Sequence, residues 1–167
     1  MDSATMAWHD QEDARIAATI RASGWAITYV GGESCSRPGC GCPPGDGPPF
    51  AYTVGMFGMG HPELLVFGVD PGTASGLLNN LGARVKSGDH LVAGLELDFE
   101  EWPHKVIPEP VPNPGEIVFE ANRFYCRPDE YSVPVLQLTY TYLAGRSPWA
   151  AVYSAPEKPP RPGTFRA

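Results

Sequence analysis

The chain has 167 residues, of which 43% are hydrophobic and 19% charged, a composition typical of one globular domain with its own core. Its formal net charge of −7 argues against nucleic acid and anionic membranes as partners, because an acidic chain gains nothing from binding a polyanion. The opening residues lack a basic segment followed by an apolar run, and no window approaches the roughly 18 apolar residues of a membrane span, so we expect a cytoplasmic protein with reduced thiols.

The first predicted elements are a helix and a strand. Residues 10–24 have helical spacing, with Asp10 as the N-cap and Gly24 as the stop. Residues 25–30 are rich in β-branched and aromatic side chains, which predicts a strand.

A cysteine segment follows, residues 35–49, which reads CSRPGCGCPPGDGPP. Cys35, Cys40 and Cys42 could ligate zinc, with Cys126, His9 or a water as the fourth ligand. The C-x4-C-x-C spacing differs from the paired C-x2-C motifs of most tetrahedral zinc sites. The alternative interpretation is a loop with reduced, exposed thiols, and the sequence leaves both open.

Two apolar strands and a second helix come next. Residues 50–57 and 64–69 are predicted strands, and the turn between them is short enough for an antiparallel hairpin. Residues 70–88 form the clearest predicted helix, because Asp70 is a suitable N-cap and Pro71 suits the first helical position.

The C-terminal half contains shorter segments. Residues 95–99 and 104–107 are predicted strands, and residues 116–125 are predicted to begin as a strand and turn helical near Ala121. Residues 133–142 alternate between apolar and polar side chains, which is typical of a half-buried strand in an antiparallel sheet. The predicted fold is therefore α+β, with a mainly antiparallel, barrel-like or split-barrel sheet of about six or seven strands and two helices.

The prolines indicate one domain followed by a tail. They cluster in loops and are sparse in the apolar segments, so residues 1–155 are expected to form a single domain. Residues 156–167 are expected to form a Pro-rich C-terminal tail, either disordered or strapped to the sheet by Trp149 and Phe165.

Several motifs together resemble a known family. They are PPFAYTVGMFGMGHPELLVFGVDP, ELDFEEWPHKV, PVPNPGE, ANRFY, LQLTYTYLAGRSPW and PRPGTFRA. From about Trp25 to the C-terminus the chain is similar to the bacterial domain-of-unknown-function family 4262, a resemblance that implies no activity. Against the family pattern the cysteine segment looks like an insertion, and the acids that members place around a Gly-Arg-Phe-Pro-Trp motif are missing here.

A looser similarity concerns the order of the strands. A strand with Thr-Val-Gly, a turn with Pro, an apolar strand ending in Gly and then a helix resemble the start of flavin-reductase-like split barrels. In those proteins this region contacts FMN, so the resemblance makes FMN the first candidate cofactor. Zinc, suggested by the cysteine segment, is the second. The similarity is one of fold, and fold alone does not determine function.

Titratable residues near the turns form the candidate catalytic site. His61 and Glu63 flank a proline, and such a pair can exchange protons or ligate a metal near neutral pH. His104 lies close in sequence to the carboxylates of Asp98, Glu100 and Glu101, a second candidate for acid–base chemistry or metal binding. The alternatives are a purely structural turn and a solvated acidic loop.

Four further residues are candidate ligand-binding groups. Arg123 could clamp a carboxylate or phosphate, with Asn122 beside it, or could pair with a surface acid. Gln137 is predicted on the polar face of its strand, and Trp149 could stack on a planar ligand.

These features together predict a small-ligand-binding or enzymatic domain, with a small molecule as its partner and a pocket near the His-Pro-Glu turn. No motif decides whether the chain is an enzyme or whether it forms a homodimer. One alternative is a non-enzymatic protein-interaction module, supported by the Pro-rich tail and by the lack of a specific catalytic motif. The other is a metal-binding protein built on the cysteine segment.

Overall fold

The computed structural model describes residues 1–31, 47–100, 102–140 and 159–167. Three helices occur in these ranges: α1 (Ser3–Ser23), α2 (Pro71–Lys86) and α3 (Phe119–Phe124). The strands are β1 (Ala26–Val30), β2 (Phe50–Val54), β3 (Glu63–Phe67), β4 (Leu97–Phe99), β5 (Trp102–Pro110) and β6 (Val135–Tyr140).

The six strands form one open sheet in the order β1-β2-β3-β6-β5-β4. Neighbouring strands are antiparallel except at the centre, where β6 runs parallel to β3 with Glu63 opposite Val135. The β2–β3 hairpin is confirmed, with Phe50 opposite Phe67. The α+β class is thus confirmed, but the sheet is mixed and does not close, so the expectation of a barrel-like sheet with two helices is corrected to an open sheet with three.

The sheet lies between two helical layers. Side chains of α2 pack on one face of the sheet in a cluster that includes Leu78, Leu81 and Leu64. On the other face, Ile16 of α1 and Ala121 of α3 pack against β2, β3 and β6. Because both faces are covered, all residues of β2 and β3 are buried. Within the parts of the chain that are described, no helix combines the length and the apolar content needed to cross a membrane.

Local sequence signals set most helix ends. Gly24 ends α1 as predicted: its φ is +103°, a value that glycine adopts without strain, and its N–H donates to the carbonyl of Ile20 at 2.7 Å. The predicted start at Asp10 is wrong, because Asp2 caps the helix about two turns earlier by accepting from the N–H of Thr5. Asp70 caps α2 as predicted, accepting from the N–H of Thr73 at 2.9 Å.

Two predictions for the C-terminal half are wrong for tertiary reasons. The helix predicted near Ala121 is present as α3, but residues 116–125 contain no strand; a 3₁₀ turn, Pro114–Glu116, leads into α3, whose apolar side chains pack on the sheet. The strand predicted as half-buried is fully enclosed, because β6 lies between β3 and β5, and the polar side chains of Gln137 and Thr139 are only 2% exposed.

The C-terminal residues 159–167, here called the strap, lie on the α1/α3 face of the sheet. The ring of Phe165 packs at 5.3 Å from that of Phe50 and at 4.9 Å from that of Phe67, measured between centroids. The N–H of Ala167 donates to the carbonyl of Glu116 at 2.9 Å. Of the two predicted anchors of the tail, Phe165 is therefore confirmed, and Trp149 lies outside the described residues.

Candidate functional site

Glu63 is fully buried beneath the turn that joins β2 to β3. Its Oε1 accepts from the N–H groups of Gly55 and Phe57 at 2.9 and 3.0 Å. Its Oε2 accepts from the hydroxyl of Thr53 at 2.6 Å and from the N–H of Met56 at 3.2 Å. Burial raises the pKa of Glu63, and these four hydrogen bonds oppose that shift by favouring the carboxylate. A carboxylate has about four acceptor positions, so Glu63 uses its full capacity to hold the turn.

His61 is also buried, and both ring nitrogens are engaged. Nδ1 lies 2.8 Å from the carbonyl oxygen of Pro62, and Nε2 accepts from the N–H of Leu91 at 3.2 Å. These partners assign the proton to Nδ1. Burial is the main cause that lowers the pKa of His61, and His90, whose ring centroid lies 5.0 Å away, lowers it further. The neutral ring therefore ties the β2–β3 turn to the segment that follows α2.

His104 occupies a different environment on β5. Its ring lies 6.0 Å, between centroids, from that of Tyr140 on the neighbouring strand β6. Among the contacts given by the described residues, none joins His104 to His61 or to Glu63. The structure thus does not bring the three candidate catalytic side chains together through direct contacts.

Asn122 is a buried residue of α3 whose amide is fully used by its neighbours. Its Oδ1 accepts from the N–H of Val133 at 2.9 Å and from the hydroxyl of Ser132, while its Nδ2 donates to the Ser132 oxygen at 2.9 Å. These bonds fix the entry to β6, which gives Asn122 a structural role.

Arg123 and Gln137 join parts of the fold to each other. Nη2 of Arg123 lies 2.8 Å from Oδ1 of Asp13 on α1 and 3.4 Å from Oε1 of Glu120, which is the pairing with an acid that the sequence left as an alternative. Gln137 donates from Nε2 to the carbonyl of Pro160 at 2.7 Å and so anchors the strap. Neither group is directed at an open cavity by these contacts.

The remaining sequence-predicted site residues, Trp149, Cys35, Cys40 and Cys42, lie outside the described residues. In the ranges that the structure describes, no group of three or more His, Cys, Asp or Glu side chains is arranged to hold a metal ion. Cys126, the described cysteine, is exposed and unpaired with another cysteine.

A cleft opens elsewhere, between one face of α2 and the strand β4 and its end. Its volume is about 770 Å³, within the range of small-molecule sites. Residues three to four positions apart share a helix face, so α2 contributes its residues to the cleft as one continuous stripe. The described lining residues are Thr73, Gly76, Leu77, Asn80, Arg84, Asp98, Phe99 and Glu100.

Arg84 forms one end of this α2–β4 cleft. Its guanidinium carbon lies 5.0 Å above the ring centroid of Phe99, and its Nη2 donates to the backbone carbonyl of Asp98 at 3.1 Å. Among the described residues Arg84 forms no ion pair with a carboxylate. Since a guanidinium carries five N–H donors, most of its donors remain for a ligand.

Gly76 leaves the floor of the cleft open. A glycine inside a helix costs roughly 1 kcal/mol relative to alanine, so its presence needs a reason. At Gly82 the reason is packing, since a Cβ there would lie 2.6 Å from Cε2 of Trp25 and 2.9 Å from Cε of Met56. At Gly76 a Cβ would meet nothing within 4 Å, so no described neighbour requires glycine, and its absent side chain exposes helix backbone to the cleft.

Sequence reasoning missed this cleft for an identifiable reason. Thr73, Asn80 and Arg84 follow helical spacing beside the apolar stripe of α2, a pattern that also describes an ordinary solvated face. By their position in the sequence, Asp98 and Glu100 suggest a site with His104 and give no sign of α2. The packing of β4 beside α2 is a tertiary contact, and no spacing in the sequence reports it.

The comparisons with known proteins bear on family membership. A family model described as "Domain of unknown function (DUF4262)" matches residues 19–154, which is most of the chain. No curated protein and no solved structure matches the sequence.

Proposed function

Since the chain belongs to the DUF4262 family, whose description states no activity, we propose its function from its geometry: the domain binds a small molecule in the α2–β4 cleft. The observation that carries the proposal is the guanidinium of Arg84, held in place on Phe99 without a carboxylate partner among the described residues. A positioned cation with unused donors, at the end of a cleft of ligand size, is a typical recognition element.

The cleft is a better candidate than the His-Pro-Glu turn, where the sequence placed the pocket. A binding site must offer polar groups that are free to meet a ligand. Glu63 and both nitrogens of His61 are already engaged by protein partners. In the cleft, by contrast, Asn80 and Arg84 are lining residues, and Arg84 has no carboxylate partner among the described residues.

We propose binding rather than catalysis at this place. The described lining residues include no histidine, cysteine or lysine. The hydroxyl of Thr73 donates at 2.7 Å to Oδ2 of Asp70, the residue that caps α2, so both groups serve the start of the helix. This chemistry supports a site that recognises and holds its ligand.

FMN remains the first cofactor to be tested, because a guanidinium with unused donors can also pair with a phosphate. A titration that follows flavin absorbance and fluorescence tests this directly.

The test of the proposal is to fill the cleft. Gly76 lines the cleft, and a Cβ there meets nothing within 4 Å, so Gly76→Leu introduces a side chain at the cleft. We expect soluble aromatic fragments to shift the backbone amide resonances of Gly76 and Asn80 in the unaltered protein, in a saturable way. The variant should lose this binding.

Ala22→Leu is the matched control, because it adds the same side chain at an exposed position of α1, on the opposite side of the sheet. It should bind the fragments as the unaltered protein does. Thermal unfolding of both variants shows that they are folded. The proposal fails if neither the fragments nor FMN shift the cleft resonances, or if Gly76→Leu binds as well as Ala22→Leu.

A further inference from the structure

The guanidinium of Arg84 is held in place before any ligand arrives. Its carbon lies 5.0 Å over the ring centroid of Phe99, and its Nη2 donates to the backbone carbonyl of Asp98 at 3.1 Å. Stacking uses a face of the group, whereas its five N–H donors point outward in the guanidinium plane. Since the carbonyl takes only one of them, the edge of the group keeps donors for a planar acceptor.

The carboxylate of Asp98 is directed away from this guanidinium. Leu97 and Phe99 both pack against the cluster that α2 forms with the sheet, and side chains alternate along a strand, so Asp98 lies on the other face of β4. Its Oδ1 lies 3.9 Å from Nζ of Lys105 on β5. Asp98 therefore orients Arg84 through its backbone without neutralising it.

A second polar group lies one helical turn from Arg84. Asn80 is an exposed lining residue four positions earlier in α2, and residues four apart share a helix face. The neighbouring Asn79 accepts from Nε1 of Trp25 at 3.0 Å, whereas no described residue is hydrogen-bonded to the amide of Asn80. Because helical side chains lean toward the N-terminus, the arginine side chain covers the turn that carries Asn80. One ligand can therefore contact both groups.

The charge of the cleft favours a monoanion. Among its described lining residues, Arg84 is the one lysine or arginine. A single guanidinium balances one negative charge, and its fork matches a planar carboxylate through two parallel hydrogen bonds. The net charge of −7 adds a repulsion that grows with the negative charge of the ligand, so a phosphate dianion is disfavoured relative to a carboxylate.

From these features we infer that the cleft binds flat organic monocarboxylates. The carboxylate pairs with the edge of the Arg84 guanidinium, and the flat body lies along α2 toward Gly76, where no Cβ occupies the space. Gly76 and Arg84 are about 12 Å apart along the helix axis, at 1.5 Å per residue. This inference rests on the proposed function, because it requires the cleft to be a binding site. It predicts that the head group of a ligand decides its affinity.

Three probes with one ring system test the head group: 2-naphthoate, 2-naphthamide and 2-naphthyl phosphate. They carry a carboxylate, a neutral group of the same shape and a phosphate. We expect the amide resonances of Gly76 and Asn80 to report a dissociation constant for 2-naphthoate at least about fivefold lower than for 2-naphthamide. The phosphate should bind more weakly than the carboxylate. Added salt should weaken 2-naphthoate and leave 2-naphthamide unchanged.

Arg84→Gln assigns the charge to its residue. It should weaken 2-naphthoate to the level of 2-naphthamide and leave the amide's own affinity unchanged. Arg84→Lys keeps the charge without the planar fork and should recover only part of the affinity for 2-naphthoate. Thermal unfolding of both variants shows that they are folded.

Arg127→Gln is the matched control. The guanidinium carbon of Arg127 lies 5.7 Å over the ring centroid of Phe57, and its Nε donates to the carbonyl of Tyr131 at 2.7 Å, so it is stacked and anchored as Arg84 is. Arg127 is not among the described residues that line the cleft. Its replacement should leave the binding of 2-naphthoate unchanged.

The possible failures are distinguishable. If 2-naphthamide or 2-naphthyl phosphate shifts the cleft resonances at least as tightly as 2-naphthoate, the carboxylate inference is overturned and the proposed binding site stands. Equal losses in Arg84→Gln and Arg127→Gln would overturn the inference as well, because they would show general attraction to surface arginines. If neither these probes nor FMN shifts the cleft resonances, the inference and the proposed function are both overturned.

Discussion

At the scale of single residues, the acidic side chain of the His-Pro-Glu turn acts on the backbone. The N–H groups of Gly55, Met56 and Phe57 all donate to the side chain of Glu63. Its oxygens therefore supply the hydrogen-bond acceptors that these backbone donors would otherwise lack in the interior. A close approach enforces this arrangement, since a Cβ at Gly55 would lie 2.6 Å from the carbonyl oxygen of Gly24. The turn is thus built around a buried carboxyl group.

Glu63→Gln tests this role. The amide keeps the shape of the side chain, but its NH2 group would face hydrogen-bond donors. At least one buried hydrogen bond is therefore lost, and one backbone or hydroxyl donor then faces another donor. We expect the free energy of unfolding to fall by about 2 kcal/mol or more, measured in urea. Glu96→Gln, which removes an exposed ion pair with Lys105, should change it by less than about 1 kcal/mol. Equal effects of the two variants would contradict the structural role of Glu63.

His61 makes the stability depend on pH in a definite direction. Its pKa in the folded chain is lowered below the ordinary value of 6.5, so the folded state favours the neutral ring. As the pH falls through 6.5, the unfolded chain takes up the proton first, and the free energy of unfolding decreases by up to about 1.4 kcal/mol per pH unit. Stability is therefore retained above this range and lost below it.

Urea unfolding between about pH 7 and pH 5 measures this slope. His61→Gln should flatten it, because the titrating ring is gone. His90→Gln removes only the neighbouring ring, so most of the slope should persist. A slope unchanged by His61→Gln would show that other groups cause the acid sensitivity.

These residues also mark how far the sequence can be interpreted. The pattern His-Pro-Glu correctly predicts a turn, since proline and the strand that follows are local signals. The partners of His61 and Glu63 are backbone groups, including the N–H of Leu91, and a backbone group has no signature in a sequence. The identity of a titratable residue therefore does not show whether it serves in catalysis or in holding the backbone, because its partners are known only from the folded chain.

At the scale of elements, α2 carries two glycines that should respond in opposite ways to the same change. Gly76→Ala should raise the free energy of unfolding by about 0.5–1 kcal/mol, because alanine favours the helix and its methyl group meets nothing. Gly82→Ala should lower it by about 1–3 kcal/mol, because its methyl group would overlap Trp25 and Met56. Urea unfolding of the two variants provides the comparison. Destabilisation by Gly76→Ala would mean that a neighbour occupies the cleft.

Elements with local signals were predictable, and those shaped by tertiary packing were not. Asp70 and Pro71 mark the start of α2 by capping chemistry alone, and Gly24 marks the end of α1 in the same way. The segment that leads into α3 contains Ile117 and Val118, which favour a strand by propensity but are buried beneath the α1/α3 layer instead. Packing therefore overrides propensity at this point.

At the scale of the whole molecule, the strap closes the α1/α3 face. Phe165→Ala removes a partly buried ring that packs on Phe50 and Phe67, so we expect a loss of about 1–2 kcal/mol in the free energy of unfolding. Arg166→Ala removes an exposed pair with Glu116 and should change it by less than about 1 kcal/mol. Chemical denaturation of both variants tests whether the strap is part of the fold. A partner that uses this tail would have to displace Phe165.

The overall architecture could be predicted only in part. The class and the β2–β3 hairpin follow from patterns within short segments, whereas the place of β6 beside β3 does not. The alternation along β6 predicted one solvent-exposed face, because the sequence of a single strand does not show what covers its two faces. The cleft could not be predicted for a related reason: the order of the strands in the sheet determines where β4 meets α2, and the sequence does not give that order.

The parallel contact between β3 and β6 also determines the order in which the molecule can be completed during folding. The chain up to α2 can form the β1–β2–β3 meander and cover one face, but β3 keeps an open hydrogen-bonding edge until β6 is available. That edge is apolar on both sides, the kind of strand that pairs with other chains when it is left exposed. On the ribosome, safe burial of β3 must therefore wait for nearly the entire domain to emerge, and this interval is when the nascent chain is most vulnerable to aggregation.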